Sequence, residues 1–413
     1  MNKLVRFAAL AVLPIAATYL IAQAQSSTVE LNMLSVWGAD SEKIFQGAIQ
    51  EFQTGHPNIK IKFTAVAGTG AATYPNVLRT SIAGGKAPDL FFMWGGSLAA
   101  PFIDADAALD LAPYYKKYNW SSLITPGAIS AIKRNGTTWG VPISLRAVAL
   151  YYRKDIFKKN NLKVPTSFAQ LESVCSKLKA KNITCMATAG TYGWHIMRVF
   201  DFFLEHTAGP DLHDQLILNK TSWNRKEVVA AFTLLKKWTD RGWLPNGYMG
   251  ISPDQSSQLF LQGKAAMTPE GDWYVTNVQA AGLKADTVGF FVPPSDHTPR
   301  MDGFAEQLMI SKQSKNADAA AEFLNWWIQP AVQKKYYAVV GSTTTKGGVP
   351  TENANPMAVD YADLIGGNDT YTILDQAYSG ETMSSTYFRL QSAVAAGQVT
   401  PTEAAKQMAD GMK

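Results

Sequence analysis

Apolar residues recur along this chain in two rhythms, period two over short runs and a period near 3.6 over longer ones. Residues 28–37 (TVELNMLSVW) are dense in β-forming side chains and predict a strand. Asp40-Ser41-Glu42 follows as helix-start chemistry. Ile44, Phe45, Ala48, Ile49 and Phe52 then return at helical spacing until Gly55-His56-Pro57-Asn58 breaks the run. Residues 59–66 (IKIKFTAV) alternate as a second strand, a helix around 77–83 ends at Gly84-Gly85, and Pro88-Asp89 leads into the wholly apolar stretch 90–94. Strand, helix, strand, helix, strand at this pace predicts a parallel sheet covered by helices.

The same grammar returns downstream. Residues 148–152 predict a strand, Pro165-Thr166-Ser167 caps a helix running to about Lys181, and 183–187 predict the next strand. Val228, Val229, Phe232, Leu235 and Trp238 mark one face of a helix over 226–241. Further helices are expected over 317–327 and 402–412, with Asn316 and Thr402 as start signals. No fixed-period repeat occurs. A chain of 413 residues exceeds one ordinary core. Two α/β lobes follow, with the cleft between them as the default ligand site.

Composition changes this picture little, with 46% hydrophobic and 17% charged residues throughout a chain that can be globular along its length. The first residues do change it. Lys3 and Arg6 precede an apolar run over 7–22 broken by Pro14, and Ala22-Gln23-Ala24 offers a small-x-small cleavage site. Residues 1–24 are therefore expected to be a signal peptide cut near Ala24, since the run is short for a membrane span and polar residues follow it. No cysteine precedes Cys175, so no lipid anchor is expected, and a Gram-negative-type periplasm is the expected compartment. Losing Lys3 and Arg6 takes the formal charge from +5 to 5 − 2 = +3, too little to point to nucleic acid. In an oxidising space Cys175 and Cys185 have only each other as partners, and their bridge would contribute roughly 2–3 kcal/mol.

Six segments in order resemble the extracellular solute-binding proteins of the family that includes maltose-binding protein. They are FQTGHPNIKIKF, SIAGGKAPDLFF, GTTWGVPISLRAVALYYRKDIFKKNNLKVPTSFAQL, LFLQGKAAMTPEGDW, DGFAEQLMISKQSKNADAAAEFLNWW and VTPTEAAKQMADG, and the resemblance covers 31–413. It implies an α/β, two-lobed periplasmic binding protein fold of type II, each lobe a β-sheet flanked by helices, with three inter-lobe crossovers. These are expected near 143–146, 304–307 and 341–346. The N-terminal lobe would comprise 28–143 plus 307–341 and the other lobe 144–303 plus 344–413. Such a protein closes on its ligand by hinge motion and hands it to the transmembrane permease subunits of an ABC-type importer.

A sugar needs aromatic faces for its C–H surfaces and planar polar groups for its hydroxyls. By family position Trp37, Asp40 and Ser41 stand at the pocket rim, although a core ring and a helix cap are the plainer reading. Gly95, Gly96 and Ser97 close the third strand where maltodextrin-binding relatives often carry an acid, and the glycines would let backbone approach the sugar. Arg146 matches a ligand-facing acidic position, and its alternative is an inter-lobe salt bridge. Trp194 and His195 match the second lobe's aromatic region. Trp273 matches a tryptophan that stacks on sugar, with Glu270 and Asp272 beside it. Asp302 and Phe304 flank Gly303 at the second crossover, and Tyr387 matches an aromatic-bearing segment loosely.

No G-x-S-x-G, H-E-x-x-H or Walker sequence occurs, so no catalytic residue and no cofactor is expected. Glu270 and Asp272 could still imitate the acid pair of a glycoside-acting enzyme. Tyr151-Tyr152 and Tyr336-Tyr337 raise a metal-ion binder, but alternate residues of a strand face opposite sides, and no metal is expected. Eleven tryptophans suit a neutral mono- to oligosaccharide, bound by a monomer. A sugar phosphate or a polyamine is the remaining alternative.

Overall fold

A computed structural model describes residues 28–37, 39–66, 73–336, 344–347, 355–377 and 381–411. The expected signal segment lies outside them, as does the start of the third crossover. The early strands appear where the sequence places them: β1 (Val29–Ser35), β2 (Ile59–Ala65) and β3 (Leu90–Trp94). A small hairpin of β4 (Lys133–Arg134) and β5 (Thr137–Thr138) leads into β6 (Gly140–Arg153). Beyond it come β7 (Thr184–Met186), β8 (Ala265–Gly271), β9 (Val288–Phe291), β10 (Met301–Ile310) and β11 (Thr370–Thr372).

Two hydrophobic cores result. Leu31, Phe45, Phe91, Trp120, Phe323 and Trp327 belong to the first. Phe157, Phe200, Phe232, Trp238, Leu390 and Met408 belong to the second, and a smaller cluster around Tyr151, Tyr274 and Tyr361 adjoins β6. Strands β6 and β10 run from one core to the other. Val141 and Ile143 pack in the first, Ala147 and Ala149 beyond it; Leu308 to Ile310 pack in the first, Met301 beyond it.

One sheet therefore continues through both lobes in the order β2-β1-β3-β10-β6-β8-β7, with β11 on β10 and β9 on β6. The expectation of a parallel sheet holds for β1 with β2 and β3, and for β7 with β8. It fails in the middle, where β10 is antiparallel to β3 and β6, and β6 to β8 and β9. The reason is topological: the chain leaves the first lobe along β6 and returns along β10, so the two crossing strands must oppose each other. The stretch predicted over 148–152 is thus the second half of a 14-residue strand.

Local signals position the helices. Ser167 caps the helix Phe168–Lys179, accepting from the Gln170 N–H, and Cys175 on that helix is bridged to Cys185 on β7 across a Cα–Cα distance of 4.9 Å. Among the described residues no helix is long and apolar enough to cross a membrane.

Candidate functional site

A cavity of about 320 Å³ lies between the two cores where β6 and β10 cross. Its first wall carries Trp37, just past β1, Ser41 on the following helix, and Trp94 at the end of β3. The opposite wall carries Trp194 and Arg198 from the first two turns of the helix Gly193–Ala208, and Trp273 directly after β8. Spacing i, i+4 puts Trp194 and Arg198 on one helix face. Phe304 and Glu306, two apart on β10, line the floor from one side of that strand. The Trp273 and Phe304 rings lie 5.5 Å apart. A second cavity of about 320 Å³ continues past a shared wall of Leu98, Trp194 and Asp375.

The polar groups behind the second wall are matched to one another. The Arg198 guanidinium lies between two indoles, 4.8 Å from the Trp194 ring and 5.0 Å from the Trp273 ring. Its Nη1 donates to Glu270 Oε2 at 2.6 Å, and Trp273 Nε1 donates to the same oxygen at 3.1 Å. The other Glu270 oxygen meets His195 Nε2 at 3.2 Å, while His195 Nδ1 accepts from the Ala189 N–H at 3.1 Å. That fixes the Nε2–H tautomer. Burial lowers the His195 pKa, so the ring stays neutral. Burial pushes the Glu270 carboxyl up, but Arg198 and His195 together outweigh it, and its pKa ends below the ordinary value.

Arg146 ties the crossover strands together. Its Nε donates to Glu306 Oε2 at 2.9 Å and its Nη1 to Asp272 Oδ2 at 2.5 Å, while the Ser144 hydroxyl donates to Glu306 Oε2 at 2.6 Å. Burial opposes charge on Arg146, yet the two carboxylates beside it raise its pKa further.

A third group, Asp201, Asp302 and Asp375, is almost wholly buried. Asp201 accepts from the Tyr387 hydroxyl at 2.7 Å and the Leu374 N–H at 3.1 Å. Both Asp302 oxygens, and Asp375 Oδ1, meet no hydrogen-bond partner among the described residues. Burial pushes Asp201 and Asp375 up to about 7 and Asp302 well above the ordinary carboxyl range. Among the described residues, no group of three His, Cys, Asp or Glu is placed to hold a metal ion.

The structure thus sorts the expected site residues. Trp37, Ser41, Trp194, Trp273 and Phe304 meet at the first cavity, and Ser97 lines the second. Asp40 lies in the first turn of the helix Ala39–Gly55. Arg146, His195, Glu270 and Asp272 stand behind the wall in the networks above, and Arg146 makes the salt bridges that were its alternative reading. Asp302 and Tyr387 are also buried and line neither cavity. At Gly95-Gly96-Ser97 the approaching backbone belongs to the segment Leu374–Ala377. Gly96 has φ +61° and faces the Gln376 carbonyl, leaving no room for a Cβ, and the Ser97 hydroxyl donates to the Asp375 carbonyl. Trp94, Arg198, Glu306 and Asp375 also line the first cavity and were not singled out from the sequence. The i+4 step from Trp194 and the i+2 step from Phe304 were the signals for two of them.

Tryptophan faces beside fixed donors and acceptors can stack on a polyol ring and take its hydroxyls. The profile of a family described as bacterial extracellular solute-binding protein matches residues 38–334. An extracellular-binding protein of an ABC transporter from Pyrococcus horikoshii is 25% identical over 83% of this chain and 78% of its own length. A multiple sugar-binding protein from Streptococcus mutans is 24% identical over 75% of this chain and 73% of its own. Among solved structures, a chitin oligosaccharide binding protein superposes with a TM-score of 0.82 at 20% identity, covering 93% of this chain and 98% of that one. That likeness is one of two-lobed fold.

Proposed function

The chain belongs to the bacterial extracellular solute-binding protein family, and on that premise we propose that it is the exported, periplasmic binding component of an ABC importer. It captures a neutral carbohydrate between its lobes and presents it to the membrane permease as a monomer. The observation that carries this reading is the cavity walled by Trp37, Trp94, Trp194 and Trp273, from both lobes, at the place where β6 and β10 cross. Rings on both walls meet a bound sugar together only when the lobes close, which couples capture to the hinge. The second cavity beyond Trp194 gives room for another ring and favours an oligosaccharide. The name of the Streptococcus relative supports a sugar as the solute.

Thermal denaturation against a panel of neutral mono- to tetrasaccharides tests the proposal. A sugar at 100 times its dissociation constant stabilises the folded state by about 2.7 kcal/mol. Trp273→Ala is expected to abolish that rise. It should also lower the ligand-free melting temperature slightly, because Arg198 loses one of its two ring faces. Silence toward every sugar, with a clear response to spermidine or a sugar phosphate, would rule the carbohydrate reading out.

A further inference from the structure

The chain contains five Asn-x-Ser/Thr triplets without a central proline, headed by Asn119, Asn135, Asn182, Asn219 and Asn368. The first four asparagines share one geometry: each sits in a tight turn with φ between 52° and 58°, and each is exposed. Asparagine tolerates this left-handed backbone better than most residues with a side chain, which accounts for its place in the turns. It does not account for the hydroxyl that follows. Ser121 lies in the helix Trp120–Leu123, Thr137 on β5 and Thr184 on β7, while Thr221 stands in a loop and accepts from Arg225. A helix, two strands and a loop have no common local need for a hydroxyl. What the four share is its spacing from the asparagine. Asn161 has the same backbone, with φ 51°, and is equally exposed, but Lys163 occupies the matching position. Asn368 is only half-exposed, and its side-chain amide donates to the Leu364 carbonyl at 2.8 Å.

We infer that Asn119, Asn135, Asn182 and Asn219 are acceptor sites for N-linked glycans, which rests on the reading of the chain as exported. The donor class is an oligosaccharide joined through its C1 to a lipid diphosphate. In the transfer, Asn Nδ2 forms a bond to C1, the bond from C1 to the diphosphate oxygen breaks, and the amide gives up one proton. The hydroxyl that follows is what the transferring enzyme reads. In the folded protein Thr137 pairs with Arg134 and Thr184 with Ala265, so transfer acts on the emerging chain before those pairings form. A bulky, hydrated group must end on the surface, and the four exposed turns provide that. None of the four lines either cavity between the lobes, so the glycans leave capture unobstructed.

The test is mass spectrometry, intact and by peptide mapping, of the protein purified from the cells that naturally make it. The expected result is a chain beginning just after Ala24, with glycan mass on the peptides that carry the four asparagines and none on Asn161 or Asn246. Ser121→Ala and Thr184→Ala keep the asparagine, and each is expected to strip the glycan from Asn119 or Asn182 alone. Thr184→Ser should retain it, which separates enzymatic transfer from spontaneous chemistry at the amide. Asn119→Gln should lose its glycan while the thermal response to sugar stays the same. A bare peptide at any one asparagine removes that site. A cut chain with all four bare, or glycans that persist in the Ser121→Ala and Thr184→Ala variants, overturns the inference alone. An uncut, unmodified chain overturns the export reading and the inference with it.

Discussion

Around Arg146 and Arg198, buried carboxylates are matched by guanidinium groups: Glu306 and Asp272 by Arg146, Glu270 by Arg198. On the side built around Leu374–Ala377, three equally buried acids gather with far fewer partners. Burial still leaves Asp272 above its ordinary pKa despite Arg146, but Glu270 and the second group diverge. Glu270 is held below its ordinary pKa by Arg198 and His195, whereas Asp201 and Asp375 are pushed by burial up to about 7. Matched charges fix geometry, here the mutual position of the two crossing strands. Unmatched groups leave bonding capacity for a proton or a ligand, at a standing cost in stability.

The strongest way to break the contrast is Arg146→Met, which leaves Asp272 and Glu306 buried without their cation. It should cost about 3–5 kcal/mol, seen as a lower denaturation midpoint, because both lobes share those strands. A change under about 1 kcal/mol would mean that the matched side is no more constrained than the other.

A smaller effect is expected where the acidic side meets the first lobe. Gly96→Ala puts a side chain at φ +61° and against the Gln376 carbonyl. Strain of about 1–2 kcal/mol should oppose the contact between Gly96 and the segment Leu374–Ala377 and weaken ligand binding about tenfold. Scattering should show a more open protein, with each lobe's secondary structure unchanged.

The smallest effect sharpens the acidic side itself. Asp201 and Asp375 bind protons more tightly folded than unfolded, so they stabilise fully below the unfolded carboxyl pKa near 4 and lose that contribution as pH rises through about 7. The melting temperature of the ligand-free protein should fall by a few degrees between pH 5 and 8, and Asp375→Asn should flatten part of that fall. An unchanged slope in the variant would place the titration elsewhere.

The elements that were legible, β1, β2, β3, β7 and the second half of β6 among the strands, follow from local periodicity, whereas β8, β9, β10 and β11 were not expected. The helices Ala317–Trp327 and Lys226–Asp240 fall within one residue of their apolar spacing. Strand direction in the middle of the sheet was not legible, since period-two alternation is the same whichever way a neighbour runs. The site was half legible: Trp37, Trp194 and Trp273 announce themselves as large rings at element ends. Arg198 and Asp375 did not, because an arginine inside a helix and an aspartate near the tail carry no local mark of a cavity. His195, Glu270 and Asp272 were visible as polar groups beside a tryptophan, yet the fold commits them to one another and to Arg146 and Arg198.

What the sequence determined by itself was the early strands and several helices and the need for two cores, which depend on spacing and length, while its resemblance to a family supplied the aromatic residues of the cleft. Only the tertiary structure decided which polar side chains face the cavity and which face each other. Glu270 and Asp375 differ in no local feature that would tell a matched acid from an unmatched one. The difference is whether a guanidinium from a distant segment arrives within 3 Å, as Arg198 does for Glu270 at 2.6 Å, and that is fixed by how the helix Gly193–Ala208 lies against the end of β8.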